Sequence, residues 1–278
     1  MTPPAGRAAF RAALRAQPAE PPDPATVGGA APPAWAWHLA TALHGLLPSD
    51  VADDWAGRLH TVLAQPAPAG LYAVHRWQAG TVLPLLARTV HAQDTAAVTA
   101  LAGLHTSAEG GTPAGRDRWR PALTAVLLRL HDAAYDRSSA YAQSHTGARD
   151  FALANGFSAA EADTYGHEYA RLSSDANARA FAESHAQALG EALTDAYATG
   201  SPEAYADTWP GAQARAVVRA VAGTAPPGGA ASAAVRLADG LVTALRPGED
   251  PASRGASGRR VPPADPSPAP THRPRRTD

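Results

Sequence analysis

Residues 158–199 read SAAEADTYGHEYARLSSDANARAFAESHAQALGEALTDAYAT, and this stretch decides the fold class. Ser158 and Glu161 have the spacing of a capping box, so a helix is expected to begin here. Behind the box, large side chains recur at multiples of four residues, which places them on one slowly drifting face of a helix. The stretch predicts one long helix whose contact face is formed by Tyr165, Tyr169, Phe181, His185, Leu189, Leu193 and Tyr197.

The preceding stretch, residues 117–154, predicts a second long helix. Pro121 falls in its first turn, where proline is tolerated, and Asn155-Gly156 supplies a left-handed helix stop. A turn of two or three residues then predicts an antiparallel helical hairpin over 115–199. Residues 115–155 hold six Arg and four Asp, whereas residues 158–199 hold seven acidic residues and two Arg, so opposite charges favour the pairing. Burial of the aromatic face should dominate, at roughly 1.5–3 kcal/mol per large side chain.

Three tryptophans upstream of the hairpin recur at spacings of 40 and 42 residues. Trp37, Trp77 and Trp119 each open an apolar run of helical period, and such a spacing is typical of paired-helix repeats. Residues 34–114 are therefore interpreted as a helical array with a weak repeat, and the tryptophans as core anchors rather than the lining of a ligand groove. Residues 200–246 should add closing helices separated at 226–229. The predicted fold is all-α, with one helical domain over 34–246.

Composition sets the remaining boundaries. The chain of 278 residues has no Cys, no Lys and no Ile, and its formal net charge is −1. Arg in place of Lys, together with abundant Ala, indicates a bacterial genome of high GC content. The lack of Cys excludes a disulfide framework and thiolate metal sites. We expect a cytoplasmic protein, because neither a signal peptide nor a membrane span is recognisable. Residues 1–33 and 247–278 are expected to be disordered, apart from a short amphipathic helix from Arg7 to Arg15.

Asp132 and Asp136 are the first candidates for chemistry, because their spacing of four places both carboxylates on one helix face. Over these few residues the chain resembles the Asp-rich motif with which class I terpene synthases and head-to-head prenyl synthases hold Mg²⁺ and diphosphate. The resemblance implies a second metal-binding motif on a facing helix. The nearest match, Asp175-x3-Arg179-x3-Glu183, places Arg where a ligand is needed. The alternative is that Asp132 and Asp136 form solvated ion pairs with Arg129 and Arg137.

Histidines supply the second set of candidates. His167-Glu168 begins a metalloprotease-type motif, but residue 171 is Arg where that motif requires His. A second series recurs at intervals of 14 to 16 residues, which suggests equivalent helix ends, where the helix dipole favours histidine. A clustered metal or haem site is the alternative for this series, which comprises His44, His60, His75, His91 and His105. We predict no cofactor and no metal.

Each catalytic motif lacks a required element, whereas the hairpin offers extended faces for helix association. The sequence therefore predicts a non-catalytic binding, scaffold or regulatory protein that acts through helix–helix contacts, with a protein partner or as a homo-oligomer. The alternative is an all-α enzyme for a hydrophobic, isoprenoid-like substrate, in which Asp132, Asp136, His167 and Glu168 converge at the mouth of an apolar pocket. A small hydrophobic ligand is possible. Nucleic-acid and membrane binding are not expected from a net charge near zero.

Overall fold

The computed structural model describes residues 5–17, 20–23, 32–65, 70–89 and 95–247. Helix accounts for 83% of these residues, and no strand occurs among them, so the all-α prediction is confirmed. Apart from Pro247, the tail that was predicted to be disordered, residues 247–278, lies outside the described residues.

The helices follow one another closely along the chain. The first are α1 (Ala5–Ala16), α2 (Ala34–Leu46) and α3 (Ser49–Leu63). Then α4 (Tyr72–Trp77) continues through a π-helical turn (Gln78–Val82) into α5 (Leu83–Leu86). Next come α6 (Thr95–Glu109), α7 (Arg116–Ala134), α8 (Arg137–Ala154) and α9 (Ala159–Thr199). The last are α10 (Pro202–Ala206), α11 (Pro210–Thr224) and α12 (Gly229–Leu245).

The amphipathic segment near the N-terminus is a helix and belongs to the core. Phe10 and Leu14 of α1 are buried, and the Phe10 ring meets the ring of Trp37 edge to face, with 5.9 Å between centroids. Arg15 also donates to Asp53 of α3 at 2.7 Å. The helix expected from Arg7 to Arg15 is therefore present and spans Ala5–Ala16, and Phe10 and Leu14, one helical turn apart, dock it against the core.

Buried tryptophans anchor the helices to one another, as predicted for Trp37, Trp77 and Trp119. Two tryptophans also hold α12 in place through its backbone. The indole N–H of Trp55 donates to the carbonyl of Ala238 at 2.9 Å, and that of Trp77 donates to the adjacent carbonyl of Leu237 at 3.0 Å. These bonds satisfy the indole donors inside an apolar core and fix the position of α12 along α3 and α4.

The π-helical turn has its cause in Pro84, which lies two residues beyond its end. Proline has no N–H to donate, and its ring clashes with the carbonyl four residues earlier. A wider turn over Gln78–Val82 absorbs this clash without ending the helix.

The contact face of α9 differs from the predicted one. Tyr165, Tyr169 and Phe181 are exposed, and of the predicted face only Leu193 and Tyr197 are buried. The buried face consists of small residues at intervals of four, namely Ala162, Gly166, Ala170, Ser174, Ala178, Ala182, Ala186 and Gly190. This small-residue seam packs against α7 and α8.

The side chains of the seam are small because the helix backbones lie very close together. A Cβ atom on Gly166 would come within 3.1 Å of the carbonyl oxygen of His145, and one on Gly190 within 3.2 Å of the Thr124 hydroxyl oxygen. Aromatic side chains in this seam would hold the helices apart, so they occupy the outer surface instead. The prediction of an aromatic contact face was wrong because it gave weight to large side chains only.

The partner of α9 is not the single helix predicted over 117–154. The chain leaves helical geometry at Tyr135, and Asp136 then caps α8 by accepting a hydrogen bond from the backbone N–H of Ser139 at 3.1 Å. A stripe with a period of four moves about 40° around a helix at each step, so a partner that follows it must change direction. The break between α7 and α8 accommodates that change. The predicted capping box at Ser158 and Glu161 is confirmed, with both reciprocal bonds present.

Ala178→Leu, in the seam, should lower the free energy of unfolding by about 1–3 kcal/mol, because the added atoms overpack a closed helix contact. Ala180→Leu is the matched control, since Ala180 lies on the exposed side of the same helix. Urea unfolding followed by circular dichroism measures both variants. Equal stabilities of the two leucine variants would contradict the tight seam.

Candidate functional site

A cavity of about 380 Å³ opens between α7, α9 and α11. Its size lies within the range of small-molecule sites in proteins. Four alanines leave the space open, and two aromatic side chains, Phe181 and Trp209, border it. The complete lining is His131, Ala134, Phe181, Ser184, His185, Ala188, Leu189, Thr208, Trp209, Ala212, Gln213, Ala216 and Arg219.

His131 is the buried polar group of this cavity. Its side chain is 6% exposed, and its Nε2 atom has no hydrogen-bond partner among the described residues. Burial, followed by the nearby His185 and Arg219, lowers the pKa of His131 to about 4, so the ring is neutral at pH 7. The neighbouring His185 is tied to the helix by its Nδ1 atom, which lies 2.9 Å from the carbonyl oxygen of Phe181.

The rim of the cavity carries a cation and an exposed indole. Arg219 is the one formally charged residue in the lining, which contains no carboxylate. Trp209 is 75% exposed and has a φ angle of +57°, a left-handed conformation that is uncommon for a residue with a side chain. It immediately precedes Pro210, the first residue of α11, so this conformation sets the direction from which α11 borders the cavity.

The two aspartates of the Asp-rich motif are engaged locally. Asp132 pairs with Arg137 at 2.7 Å. Asp136 accepts hydrogen bonds from the backbone and hydroxyl groups of Ser139 and from the hydroxyl of Ser138, and these bonds lower its pKa to about 2. Asp136 therefore acts as a helix cap, whose carboxylate oxygens are already occupied by protein donors.

The other two residues of the alternative site lie elsewhere. His167 contacts the hydroxyl of Tyr141, with 2.8 Å between that oxygen and Nδ1, and Glu168 is exposed. The structure therefore does not gather Asp132, Asp136, His167 and Glu168 at one pocket mouth. The proposed second motif, 175–183, presents Asp175, Arg179 and Glu183 on exposed positions.

His167 instead lies beside two residues that sequence reasoning missed. One ligand atom each from His145, Asp163 and His167 lies within 4.8 Å of the other two, and this is the one such group of three among the described residues. A signal for it was present in the predicted hairpin. Residues 145 and 167 are both eleven positions from Gly156, so antiparallel pairing about that turn places them opposite each other.

The regularly spaced histidines form a pair rather than a larger cluster. His75 and His105 are buried, and their Nδ1 atoms lie 2.9 Å apart beside Trp119 and Tyr197. Burial lowers the pKa of His75 to about 4 and that of His105 well below its ordinary value. His44 and His60 lie near α1, and His91 lies outside the described residues. A neutral pair hydrogen-bonded in the core is structural in character.

The end of α8 and α9 near their connecting turn exposes large apolar side chains. Leu172 is 62% exposed, Phe151 60% and Tyr169 49%. We call this surface the tip face, formed by Phe151, Leu153, Phe157, Tyr165, Tyr169 and Leu172. A shallow groove of about 500 Å³ runs beside it and is floored by small residues, among them Ser144, Gly147 and Ser173.

Comparison with protein-family models, curated proteins and solved structures finds no match to this chain. Within the described part of the chain, no helix combines the length and the apolar character that crossing a membrane requires. Function must therefore be argued from the surfaces and cavities themselves.

The buried histidines predict a loss of stability in mild acid. His75, His105 and His131 have pKa values below 6.5 in the folded protein, so below about pH 6.5 the unfolded chain binds more protons than the folded chain. Their contribution to the free energy of unfolding should therefore be fully present above about pH 6.5 and should decrease as the pH falls toward 4. The midpoint of urea unfolding, measured from pH 7 to pH 4.5, should follow this course, with a shallower fall in His131→Leu. A midpoint independent of pH would contradict the neutral buried histidines.

Proposed function

We propose that this chain is a non-catalytic helical binding protein that associates with a second copy of itself through the tip face. The observation that carries the proposal is the concentration of exposed large apolar side chains. Six of the eight found among the described residues fall between residues 151 and 172. A concentration of exposed apolar side chains of this kind on a folded protein marks an interaction site more often than a single exposed residue does.

The tip face has the form that pairing between identical copies requires. An isologous interface must be complementary to itself, so the same surface must offer both protruding side chains and space to receive them. Phe151, Tyr165 and Tyr169 border a groove whose floor contains Gly147 and Ser144. The aromatic side chains of one copy can therefore enter the groove of the other.

The charges of α8 and α9 also favour a second copy of the chain as the partner of the tip face. Over its whole length α8 carries two Arg and one Asp, whereas residues 159–175 of α9 carry four carboxylates and one Arg. A two-fold axis parallel to the helices would place α8 of each copy over α9 of the other. Opposite net charges then face each other across the interface, which favours specific pairing more than it adds affinity.

The polar groups support a binding role over a catalytic one. The carboxylate of Asp136 is used as a helix cap, that of Asp132 is paired with Arg137, and His75 and His105 bond to each other. An enzyme site needs titratable groups that converge on a substrate position. Such convergence is not found for the residues of the isoprenoid-type alternative.

Multi-angle light scattering of the full chain across a concentration series tests the proposal. We expect a dimer, and the double variant Tyr169→Ser/Leu172→Ser should raise its dissociation constant at least about 100-fold, since two large apolar side chains are removed from the interface. Trp209→Ser is the control, because it removes an exposed apolar side chain far along the chain from the tip. A monomeric wild type, or a dimer that is equally weakened by Trp209→Ser, would overturn the proposal.

A second candidate function rests on the cavity beside His131. We infer that it binds a small, flat, apolar molecule that carries one anionic group. Nε2 of His131 has no hydrogen-bond partner among the described residues and can bond to such a molecule. Phe181 and Trp209 can contact its ring, and Arg219 is the one formally charged residue in the lining. A second cation, which a phosphate or diphosphate group would favour, is absent from this lining.

Calorimetric titration with naphthoate, and with naphthylmethylamine as its cationic analogue, measures this binding. Naphthoate should bind at least about ten-fold more tightly than the amine, and Arg219→Ala should remove most of that preference. Arg215→Ala is the matched control on the same helix, since Arg215 is exposed but does not line the cavity. Equal binding of both probes, or equal effects of the two Arg variants, would contradict the inference.

A further inference from the structure

We propose that His145, Asp163 and His167 bind one divalent transition-metal ion of the Zn²⁺ type on the side of the α8–α9 pair. This inference is independent of the proposed self-association. It rests on three potential ligand atoms, from two helices, that already lie within 4.8 Å of one another.

The distances between the ligand atoms suit a small cation. Nε2 of His145 lies 3.5 Å from one oxygen of Asp163, and Nε2 of His167 lies 3.6 Å from the other. A tetrahedral zinc ion holds nitrogen and oxygen ligands at about 2.0–2.2 Å, which separates two neighbouring ligand atoms by roughly 3.3–3.5 Å. Each contact, one to each oxygen of the Asp163 carboxylate, is within a few tenths of an ångström of this separation.

The histidine rings are oriented as metal ligands. Nδ1 of His167 is bonded to the hydroxyl of Tyr141 at 2.8 Å, and a hydrogen bond at this second nitrogen fixes the ring and directs Nε2 toward the site. Nε2 of His145 is shielded from solvent and has no hydrogen-bond partner among the residues that the structure describes, so it is available as a ligand. The two rings lie 4.2 Å apart between centroids.

Two features of the fold bring the three residues together. Asp163 and His167 are one helical turn apart on α9, so they share a face. Gly166 between them allows α8 to approach, because a Cβ atom there would come within 3.1 Å of the backbone and the ring of His145. Arg149, whose Nε lies 3.5 Å from Asp163, can hold the carboxylate in place as an outer neighbour.

The ligand types select the class of ion. Imidazole nitrogen suits Zn²⁺, Cu²⁺ and Ni²⁺, whereas Mg²⁺ and Ca²⁺ prefer sites built of oxygen alone. Two histidines and one carboxylate leave at least one coordination position of a four-coordinate ion for water. The class that we assign is therefore a transition-metal ion with an open position.

Calorimetry on the full chain, stripped of metal with chelator and titrated with ZnCl₂ near pH 7.5, tests the assignment. We expect one site per chain in the micromolar range. Asp163→Asn and His145→Gln should each weaken binding at least ten-fold. The matched controls are Asp150→Asn, which changes a neighbouring exposed carboxylate, and His185→Gln, which changes a histidine outside the cluster. Both controls should bind Zn²⁺ as the wild type does.

Co²⁺ gives a second readout that reports coordination directly. Visible d–d absorption of tetrahedral type should appear in the wild type and in both controls, and it should be lost in Asp163→Asn. The assignment is overturned if Zn²⁺ does not bind, if Asp163→Asn and His145→Gln bind it like the wild type, or if His185→Gln alone abolishes binding. Ca²⁺ binding that matches Zn²⁺ binding would likewise contradict the ion class.

Discussion

The rest of the structure depends on the close approach of α9 to α7 and α8. That approach requires a seam of alanine, glycine and serine, because protein interiors are packed so densely that one added methylene is felt. Gly166 and Gly190, near the two ends of the seam, leave no free space for a Cβ atom. The seam buries little area per residue, yet it fixes the separation and register of three helices. Beside the N-terminal part of the seam, the larger side chains Tyr165, Tyr169 and Leu172 are thereby directed away from these partners.

The positions of the larger side chains of α9 determine which of its surfaces are exposed. Toward the C-terminal end of α9, Leu193 and Tyr197 point into the core, where tryptophan and leucine side chains cover them. Toward the N-terminal end, α8 is the helix that packs against α9 in the described part of the chain, and Tyr165, Tyr169 and Leu172 remain exposed to solvent. The three potential metal ligands, His145, Asp163 and His167, lie in this same part of the α8–α9 pair. Packing against a single neighbouring helix leaves the apolar side chains of the tip exposed.

Features that depend on one or two helical turns were predicted well from the sequence. The packing between distant segments was not. The capping box at Ser158 and the stop at Gly156 were recognisable because their geometry is local. The seam was missed because abundant Ala carries little information about which face is buried. His145 could have been placed opposite His167 by counting outward from Gly156. The cavity could not have been located in this way, because His131 and Arg219 come together through the docking of α11 on α7.

The buried histidines of this chain differ in whether their ring nitrogens are hydrogen-bonded. A buried polar atom without a hydrogen bond costs roughly 1–3 kcal/mol, so folded proteins usually supply a partner. His75 and His105 supply one to each other, and the pair is enclosed by aromatic rings in the middle of the core. His131 is nearly as buried, yet in the described part of the chain its Nε2 has no hydrogen-bond partner, and the residue lines a cavity. The ring whose Nε2 finds no partner among the described residues thus lines a cavity, whereas the bonded pair is enclosed by aromatic rings.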